Sequence, residues 1–306
     1  MTEVKAPFEY LHIEGDYSDV AAFEKIKTGI RASKRQLFYL ALPPQASRET
    51  LQSLHMSGIV SDDAIILVEK PFGTGLEDAK SLATYINESF GLEQCLKVDH
   101  YAGKKELRIC TMVTIKEIAA ITVQMFETAT VEHRKGFYNE VGELRDVGQN
   151  HLLLMLATIL KGNGSREEVL SKLCPDSDLS HFRFGRYEGN EGKETLFSVP
   201  AHFNDASLGH IKVTLRAGKG VASNDASILL TTHDGTEQKI TLSSGHEAYE
   251  HILQDALNGC RETFLSDGEV FAAWAFIEAI EKIKEKKEII CYPIGYDQRF
   301  FNEENA

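Results

Sequence analysis

The sequence predicts two architectures in one chain, an α/β part over residues 1–98 and an α+β part over residues 99–306. In the first part, short apolar runs alternate with helical segments, which is typical of a parallel sheet with helical crossovers. In the second part, runs of β-branched residues are grouped together and the helical segments stand apart from them. That grouping indicates a large, mostly antiparallel sheet with helices on one face.

The N-terminal part contains three apolar runs that end at proline or polar residues, as buried strands do. These predicted strands cover residues 37–42, 64–68 and 95–98. Amphipathic helices are predicted before and between them, over residues 21–33, 48–55 and 76–89. Strand and helix therefore alternate up to residue 98, where we place the boundary between the two parts.

The C-terminal part is predicted to be richer in strands than in helices. The predicted strands cover residues 106–114, 121–128, 195–199, 211–215, 227–232 and 238–242. The long helices cover residues 146–160, 247–258 and 269–284. An Asp-Gly pair at residues 234–235 predicts a hairpin turn. Ser165 and Ser266 each stand three residues before a glutamate, which predicts that each begins a helix with a capping box.

The composition is that of a globular protein, with 306 residues, 42% of them hydrophobic, and a formal net charge of −13. An acidic chain is a poor candidate for binding nucleic acid or an anionic membrane. No apolar stretch has the length of a membrane span, and the N-terminus has no apolar signal region. Five scattered cysteines without a C-x-x-C pair predict reduced, mostly buried thiols. We therefore expect a soluble, cytoplasmic protein.

Several catalytic motifs do not occur in the sequence. It contains no G-x-G-x-x-G dinucleotide loop, no G-x-S-x-G nucleophile turn and no H-E-x-x-H metal motif. Serine-hydrolase chemistry and a metal site are therefore not expected.

Asp99 and His151 are candidates for an acid–base pair. Asp99 follows a predicted strand, and ligands of open α/β sheets bind at the carboxyl ends of the strands. His151 precedes the apolar run 152–156, so it would stand in the first turn of a buried helix and project into a cleft. An imidazole, with an ordinary pKa of about 6.5, is a usable general base, and a carboxylate can orient it. The alternative is that His151 is a surface residue or a hydrogen-bonded core residue.

His100, Tyr101 and Lys104 form a compact set of hydrogen-bond donors just after the same strand. With Lys70, which follows the neighbouring strand, they could enclose a phosphate group. The alternative is a solvated loop. Lys219 also follows a predicted strand, but the spacing around it is not that of a phosphate loop, and an exposed strand end explains it equally well.

Seven strings, in order, resemble motifs of the glucose-6-phosphate dehydrogenase family. The family motifs are F-Y-L-A-L-P-P, E-K-P-F-G, D-H-Y-L-G-K, G-x-x-R-D-x-x-Q-N-H, L-R-T-G-K, D-E-V-x-x-A-W and Y-P-A-G. They are matched by residues 38–44, 69–73, 99–104, 142–151, 215–219, 267–274 and 292–295. The resemblance spans nearly the whole chain. It implies a Rossmann-like parallel sheet, truncated here, followed by the large sheet domain.

The resemblance implies hydride transfer from C1 of glucose 6-phosphate to NADP, giving 6-phosphogluconolactone. His151 would take the proton of the C1 hydroxyl, and Asp99 would orient and stabilise the imidazolium. The 6-phosphate would be held by His100, Tyr101 and Lys104. The sugar would be contacted by Lys70, Glu127, Asp146 and Lys219.

The resemblance also implies a coenzyme site, formed by Tyr39, Leu42, Pro43, Lys70 and Pro71. The family begins this domain with a G-A-S-G-D-L-A-x-R-K turn, which seats the coenzyme pyrophosphate at a helix N-terminus. The match in this chain begins after that turn. We therefore predict that the chain alone binds NADP weakly or not at all.

These observations favour a divergent NADP-dependent glucose-6-phosphate dehydrogenase. The alternative is a catalytically impaired homologue, of sugar-phosphate-binding or subunit type, that cannot bind the nucleotide alone. A third hypothesis is that another chain supplies the missing loop. The resemblance further implies a homodimer formed through the C-terminal sheet, with residues 227–242 as the candidate surface.

Overall fold

A computed structural model describes residues 12–29, 35–91, 93–109, 114–243 and 247–297. It divides into two compact units. The first consists of residues 1–73 and 81–97, and the second of residues 74–80 and 98–306. Each unit is described by itself.

The first unit contains a three-stranded sheet in the order β1-β2-β3, formed by β1 (Leu37–Leu40), β2 (Ile65–Glu69) and β3 (Cys95–Val98). Strands β1 and β2 run parallel, with Leu37 opposite Ile65 and Leu40 opposite Val68. Parallel strands need helical crossovers, and these are α2 (Pro44–Ser57) and α3 (Leu76–Phe90), preceded by α1 (Val20–Gly29). Strands β2 and β3 are almost wholly buried, although each contains one charged residue, Glu69 and Lys97. The parallel pairing of β1 with β2 confirms the predicted parallel sheet.

The second unit is built on an eight-stranded mixed sheet. Its strands are β4 (Ile118–Glu127), β5 (Leu173–Pro175), β6 (Arg183–Tyr187), β7 (Leu196–Phe203), β8 (Lys212–Lys219), β9 (Asp225–Thr232), β10 (Glu237–Thr241) and β11 (Ile289–Tyr292). The order is β10-β9-β4-β8-β7-β6-β11, and β5 pairs with β7. The pairs β4–β8 and β6–β11 are parallel and the other strand pairs are antiparallel, so the predicted mostly antiparallel sheet is confirmed.

The second unit also contains several helices, which lie between and after the strands along the chain. They are α4 (Lys105–Ile109), α5 (Lys135–Glu143), α6 (Leu153–Leu160), α7 (Arg166–Leu170), α8 (Glu247–Asn258) and α9 (Asp267–Lys284). Within the described part of the chain, no helix combines the length and the apolar character needed to cross a membrane.

A π-helix, Leu144–Leu152, joins α5 to α6. The buried Glu194 holds its first turn, because its Oε1 accepts a hydrogen bond from the backbone N–H of Leu144 at 3.1 Å. Its Oε2 lies 2.7 Å from the ammonium of Lys284. The preceding Gly142 has a φ of 75°, and a Cβ there would lie 2.6 Å from the same Oε1. Only glycine therefore fits where α5 turns into the π-helix.

The strand predicted over residues 106–114 is wrong in its described part, because residues 105–109 form α4. The backbone N–H groups of Leu107 and Arg108 both donate to the carbonyl of Lys104. An apolar–polar alternation over four or five residues fits a helical turn as well as a strand, so the pattern could not decide between them. Residues 110–113 lie outside the described residues, as do residues 30–33 of the first predicted helix.

Two further expectations need correction. The helix predicted over residues 146–160 is α-helical only from Leu153 onward. The described cysteines are free thiols, as expected, but Cys260 and Cys291 are exposed, so the expectation of mostly buried thiols is wrong. The sequence patterns also missed α5 and the short strands β5, β6 and β11.

Both predicted capping boxes are present. The hydroxyls of Ser165 and Ser266 accept hydrogen bonds from the backbone N–H groups of Glu168 and Glu269. Each glutamate carboxylate in turn accepts a hydrogen bond from the backbone N–H of its serine. Glu269 has a second role, because its carboxylate also forms a buried ion pair with Arg166. The guanidinium of Arg166 further donates to the carbonyls of Glu262 and Phe264, each at 2.8 Å. This pair therefore links α7, α9 and the segment before α9.

We predict that Glu269→Ala lowers the free energy of unfolding by about 3–5 kcal/mol, because it leaves the buried charge of Arg166 unpaired. Glu168→Ala is the matched control, since it removes the same capping position without an ion pair, and should cost about 1 kcal/mol. Urea unfolding of both variants measures the difference. Equal losses would show that the Arg166 pair contributes nothing beyond the cap.

Candidate active site

Asp99 and His151 form a buried hydrogen-bonded pair in the second unit. Asp99 follows β3 and is 1% exposed, while His151 is 3% exposed. The Nδ1 atom of His151 lies 2.7 Å from Oδ1 of Asp99. The same oxygen accepts a hydrogen bond at 3.0 Å from the backbone N–H of Tyr101, which caps the 3₁₀ turn His100–Gly103. The chain turn after β3 thus fixes the carboxylate that faces the imidazole.

The carboxyl group of Asp99 stays ionised well below neutral pH. Burial raises its pKa, but the attraction of His151, the hydrogen bond from its ring and the nearby His100 outweigh burial and lower the pKa to about 2. An ionised carboxylate can only accept hydrogen bonds. The proton shared with His151 therefore belongs to Nδ1 of the ring, and the lone pair of a neutral imidazole is left at Nε2.

His151 occupies the second half of the π-helix rather than the first turn of an α-helix. Its backbone N–H donates to Oδ1 of Asn150 at 2.7 Å. The amide of Asn150 in turn donates to the carbonyl of Arg145 at 3.3 Å. π-Helical turns are frequent at functional sites because the wider turn redirects side chains. The predicted buried helix is present at His151, but it is a π-helix there, and His151 lies in its second half rather than in a first turn.

Aromatic rings surround the pair. The ring centroid of Tyr101 lies 4.3 Å from that of His151, and the centroid of His100 lies 4.8 Å from it. The ring of His100 also stacks on Tyr249 of α8, at 5.5 Å with an interplanar angle of 5°. The hydroxyl of Tyr101 points to Sδ of Met125, at 3.3 Å, and burial raises the pKa of this phenol. Tyr101 therefore remains an uncharged hydrogen-bond donor.

Lys104 adds a cation at the end of the same 3₁₀ turn. Its ammonium donates to the backbone carbonyl of Ser243 and lies 5.4 Å from the ring centroid of Tyr101. Burial lowers the pKa of Lys104, and Glu106 partly opposes this effect. His100, Tyr101 and Lys104 are thus brought together as three donor side chains, and their role in holding a phosphate stays a prediction.

A second charged cluster lies at the ends of the neighbouring parallel strands β4 and β8. Their register places Glu127 opposite Lys219, and the two side chains form an ion pair. Burial lowers the pKa of Lys219, but Glu143, Glu127 and Asp146 outweigh it and raise the pKa. Asp146 is buried and lies 3.8 Å from the guanidinium of Arg134. Glu127, Asp146 and Lys219 are therefore neighbours, and their role as sugar ligands stays a prediction.

The first unit carries the residues predicted for the coenzyme. The hydroxyl of Tyr39 in β1 donates to the carboxylate of Glu69 at the end of β2. Lys70 and Pro71 follow at once, and the peptide bond between them is cis. Leu42 and Pro43 lie between β1 and α2, partly exposed and exposed respectively. These residues stand at or near the carboxyl ends of the parallel strands β1 and β2, and their role in coenzyme binding stays a prediction.

Three residues at the site were missed from the sequence. Tyr249 stacks on His100 from a distant helix, and Met125 accepts the hydroxyl of Tyr101 from β4. Glu143 is buried and accepts a hydrogen bond from the hydroxyl of Tyr138, near Lys219. The sequence feature that could have indicated a role for Glu143 is its position three residues before Asp146, just ahead of the π-helix. No pattern in the sequence points to Tyr249 or Met125.

The low pKa of Asp99 makes a prediction about stability. Its folded-state pKa is about 2 and its ordinary value is 3.8, so its stabilising effect is complete above pH about 4 and is lost as the pH falls toward about 2. Asp99→Asn should therefore destabilise the protein most at neutral pH, and the difference from the wild type should shrink below pH about 4. Urea unfolding of the wild type and of Asp99→Asn, from neutral pH down to about pH 2, measures the difference in the free energy of unfolding. A difference that stays constant with pH would contradict the assignment.

Comparisons with known proteins agree with this geometry. Residues 2–108 match the family model "Glucose-6-phosphate dehydrogenase, NAD binding domain", and residues 110–163 and 211–299 match its C-terminal domain. The glucose-6-phosphate 1-dehydrogenase of Helicobacter pylori (strain ATCC 700392 / 26695) is 27% identical over 84% of this chain and 72% of its own length. A cytoplasmic form from Arabidopsis thaliana is 24% identical over 92% of this chain and 72% of its own length.

Solved structures share the fold. The glucose-6-phosphate 1-dehydrogenase of Mycobacterium avium has a TM-score of 0.77 and 22% identity, over 93% of this chain and 78% of its own. A glucose-6-phosphate dehydrogenase in complex with its substrate has a TM-score of 0.77 and 20% identity, over 94% of this chain and 80% of its own. The chain belongs to the glucose-6-phosphate dehydrogenase family.

Proposed function

We propose that this protein oxidises glucose 6-phosphate at C1 with NADP and releases 6-phosphogluconolactone. The observation that carries the proposal is the buried Asp99–His151 pair, which falls in two of the family motifs and is bordered by the donor set at residues 100–104. Membership of the family supplies the reaction, and the geometry supplies a base for it.

His151 acts as the general base. The ionised Asp99 holds the proton on Nδ1, so the Nε2 lone pair receives the proton of the C1 hydroxyl. The imidazolium that forms is stabilised by the carboxylate 2.7 Å from Nδ1. As the C1–O bond gains double-bond character, the hydrogen on C1 leaves with its electron pair. Because the pair is buried, the attraction between the two charges is stronger than it would be in water.

The substrate is held at both ends. We assign its phosphate to His100, Tyr101 and Lys104, where Lys104 exchanges the carbonyl of Ser243 for a phosphate oxygen. A dianionic phosphate gains more from the ammonium than a neutral carbonyl does. In the second unit, the remaining sugar contacts are assigned to Glu127, Asp146 and Lys219. In the first unit, Lys70 is assigned to the sugar as well as to the coenzyme.

The coenzyme part of the proposal rests on residues 1–98, and the substrate part on residues 99–306 together with Lys70. The carboxyl ends of β1 and β2 suit the nicotinamide end of a dinucleotide, because nucleotides bind at such strand ends. The residues assigned there are Tyr39, Leu42, Pro43, Lys70 and Pro71. When bound, NADP accepts the hydride from C1.

We predict that His151→Ala lowers kcat by about 10³-fold, because it removes the base, and leaves the affinity for glucose 6-phosphate within a few-fold. The measurements are NADPH formation and calorimetric binding of the sugar phosphate to the full chain. Lys104→Ala is the comparison variant, since it should weaken sugar-phosphate binding while His151 is retained.

Loss of sugar-phosphate binding in His151→Ala would contradict its role as a base. Wild-type protein that binds glucose 6-phosphate but forms no NADPH at any NADP concentration would contradict the proposed activity. A cytoplasmic location is also proposed, in keeping with the name of the Arabidopsis relative and the acidic composition.

We further propose that the second unit forms a homodimer through the open face of its sheet. Met125 points toward Tyr101, so alternation places Thr122 and Gln124 on the opposite face. A cross-strand row on that face is at least partly exposed. It consists of Lys239, Leu229, Thr122, Thr214 and Pro200. A broad sheet face with half-exposed side chains suits a self-complementary interface.

We predict that the wild type is a dimer by light scattering and that Leu229→Arg raises its dissociation constant at least about tenfold, because a charge would be buried between two sheets. Leu257→Arg is the control, since Leu257 is exposed on α8, away from this face. A monomeric wild type, or a dimer unchanged by Leu229→Arg, would contradict the assignment.

A further inference from the structure

Asp99, His100 and His151 form a group of potential metal ligands. One ligand atom from each of these residues lies within 4.8 Å of the others. Two of the residues are buried, and His100 is partly exposed. The sequence motifs for metal sites could not reveal this group, because two ligands are adjacent in the chain and the third is far away.

The carboxylate of Asp99 has unused bonding capacity. Its Oδ1 accepts hydrogen bonds from the ring of His151 and from the backbone of Tyr101. Its Oδ2 is buried and has no hydrogen-bond partner among the described residues. A buried carboxylate oxygen without a partner is costly, and a cation beside it would remove that cost. The unpaired oxygen and the cluster of three ligand residues therefore both indicate a cation site.

We propose that Asp99, His100 and His151 bind a divalent cation of the Zn²⁺ type, and that this binding inhibits the enzyme. Two imidazole nitrogens and one carboxylate oxygen are a common zinc ligand set, with a fourth position left for water. Mg²⁺ and Ca²⁺ prefer sites made of oxygen alone, so this group selects against them. Cation binding does not depend on the proposed function, whereas inhibition does.

The contacts around Asp99 and His100 favour this assignment. With Oδ2 as the metal ligand, Oδ1 keeps its hydrogen bond from the backbone of Tyr101. The rings of His100 and His151 are nearly perpendicular, with centroids 4.8 Å apart, so a nitrogen of each can approach one point. Stacking on Tyr249 restricts the ring plane of His100 and reduces the entropy lost on metal binding.

Inhibition follows from the roles of the same residues. A ring nitrogen of His151 that is bound to the metal has no lone pair for the C1 hydroxyl proton. The metal also holds His100, which is assigned to the phosphate. Inhibition is therefore competitive with glucose 6-phosphate, and chelation of the metal restores activity.

The binding test is calorimetric titration of the full chain with ZnCl₂, without substrate or coenzyme. We expect one site that His100→Asn weakens at least tenfold. His210→Asn is the matched control, because His210 is an exposed histidine that lies near another, His233, with ring centroids 5.7 Å apart. Replacement of zinc by Co²⁺ should give the visible absorption of a low-symmetry N/O site, which His100→Asn removes.

Zinc binding that is equally affected by both variants, or by neither, would overturn the proposal, as would cobalt absorption unchanged in His100→Asn. Kinetics with and without ZnCl₂ test the inhibition, and inhibition that is not competitive with glucose 6-phosphate would also overturn it. The two proposals fail separately. Without turnover in metal-free protein the proposed function fails, while zinc binding that depends on His100 still stands.

Discussion

The hydrogen bond between Asp99 and His151 is the interaction on which the rest of the site depends. It joins a residue at the end of a strand to a residue in a π-helix, 2.7 Å apart and almost wholly buried. Burial would normally keep a carboxyl group neutral, and here the imidazole outweighs it. The same bond fixes the tautomer of the base, so one contact determines both the charge of the acid and the atom that receives a proton.

Two structural devices hold this pair in place. On one side, the turn after β3 binds the carboxylate through the backbone of Tyr101. On the other side, the buried Glu194 fixes the start of the π-helix through the N–H of Leu144, and its own charge is neutralised by Lys284. Preorganised groups of this kind avoid the cost of reorganisation during the reaction. The parallel pairing of β4 and β8 gives the same rigidity to Glu127 and Lys219.

The fold class could be predicted from the sequence, because a long, regular pattern of apolar residues fits only one kind of secondary structure. For example, the helix predicted over residues 247–258 is α8. Short elements could not be predicted from the sequence. The pattern of apolar residues over 106–109 fits both a strand and a helix. The π-helix differs from an α-helix in its backbone hydrogen bonds, which no residue type specifies. At the site, motifs predicted the neighbours of Asp99, whereas Tyr249 and Met125 reach it through tertiary packing alone.

The most direct test of the Asp99–His151 pair is the deuterium isotope effect on kcat. It is measured with glucose 6-phosphate deuterated at C1, for the wild type and for Asp99→Asn. If Asp99 orients the base, Asp99→Asn lowers kcat by about 10²–10⁴-fold, makes C–H cleavage fully rate-limiting and so raises the isotope effect, while KM for the sugar phosphate changes little. An Asp99→Asn enzyme with the kcat and isotope effect of the wild type would contradict the central role of this pair.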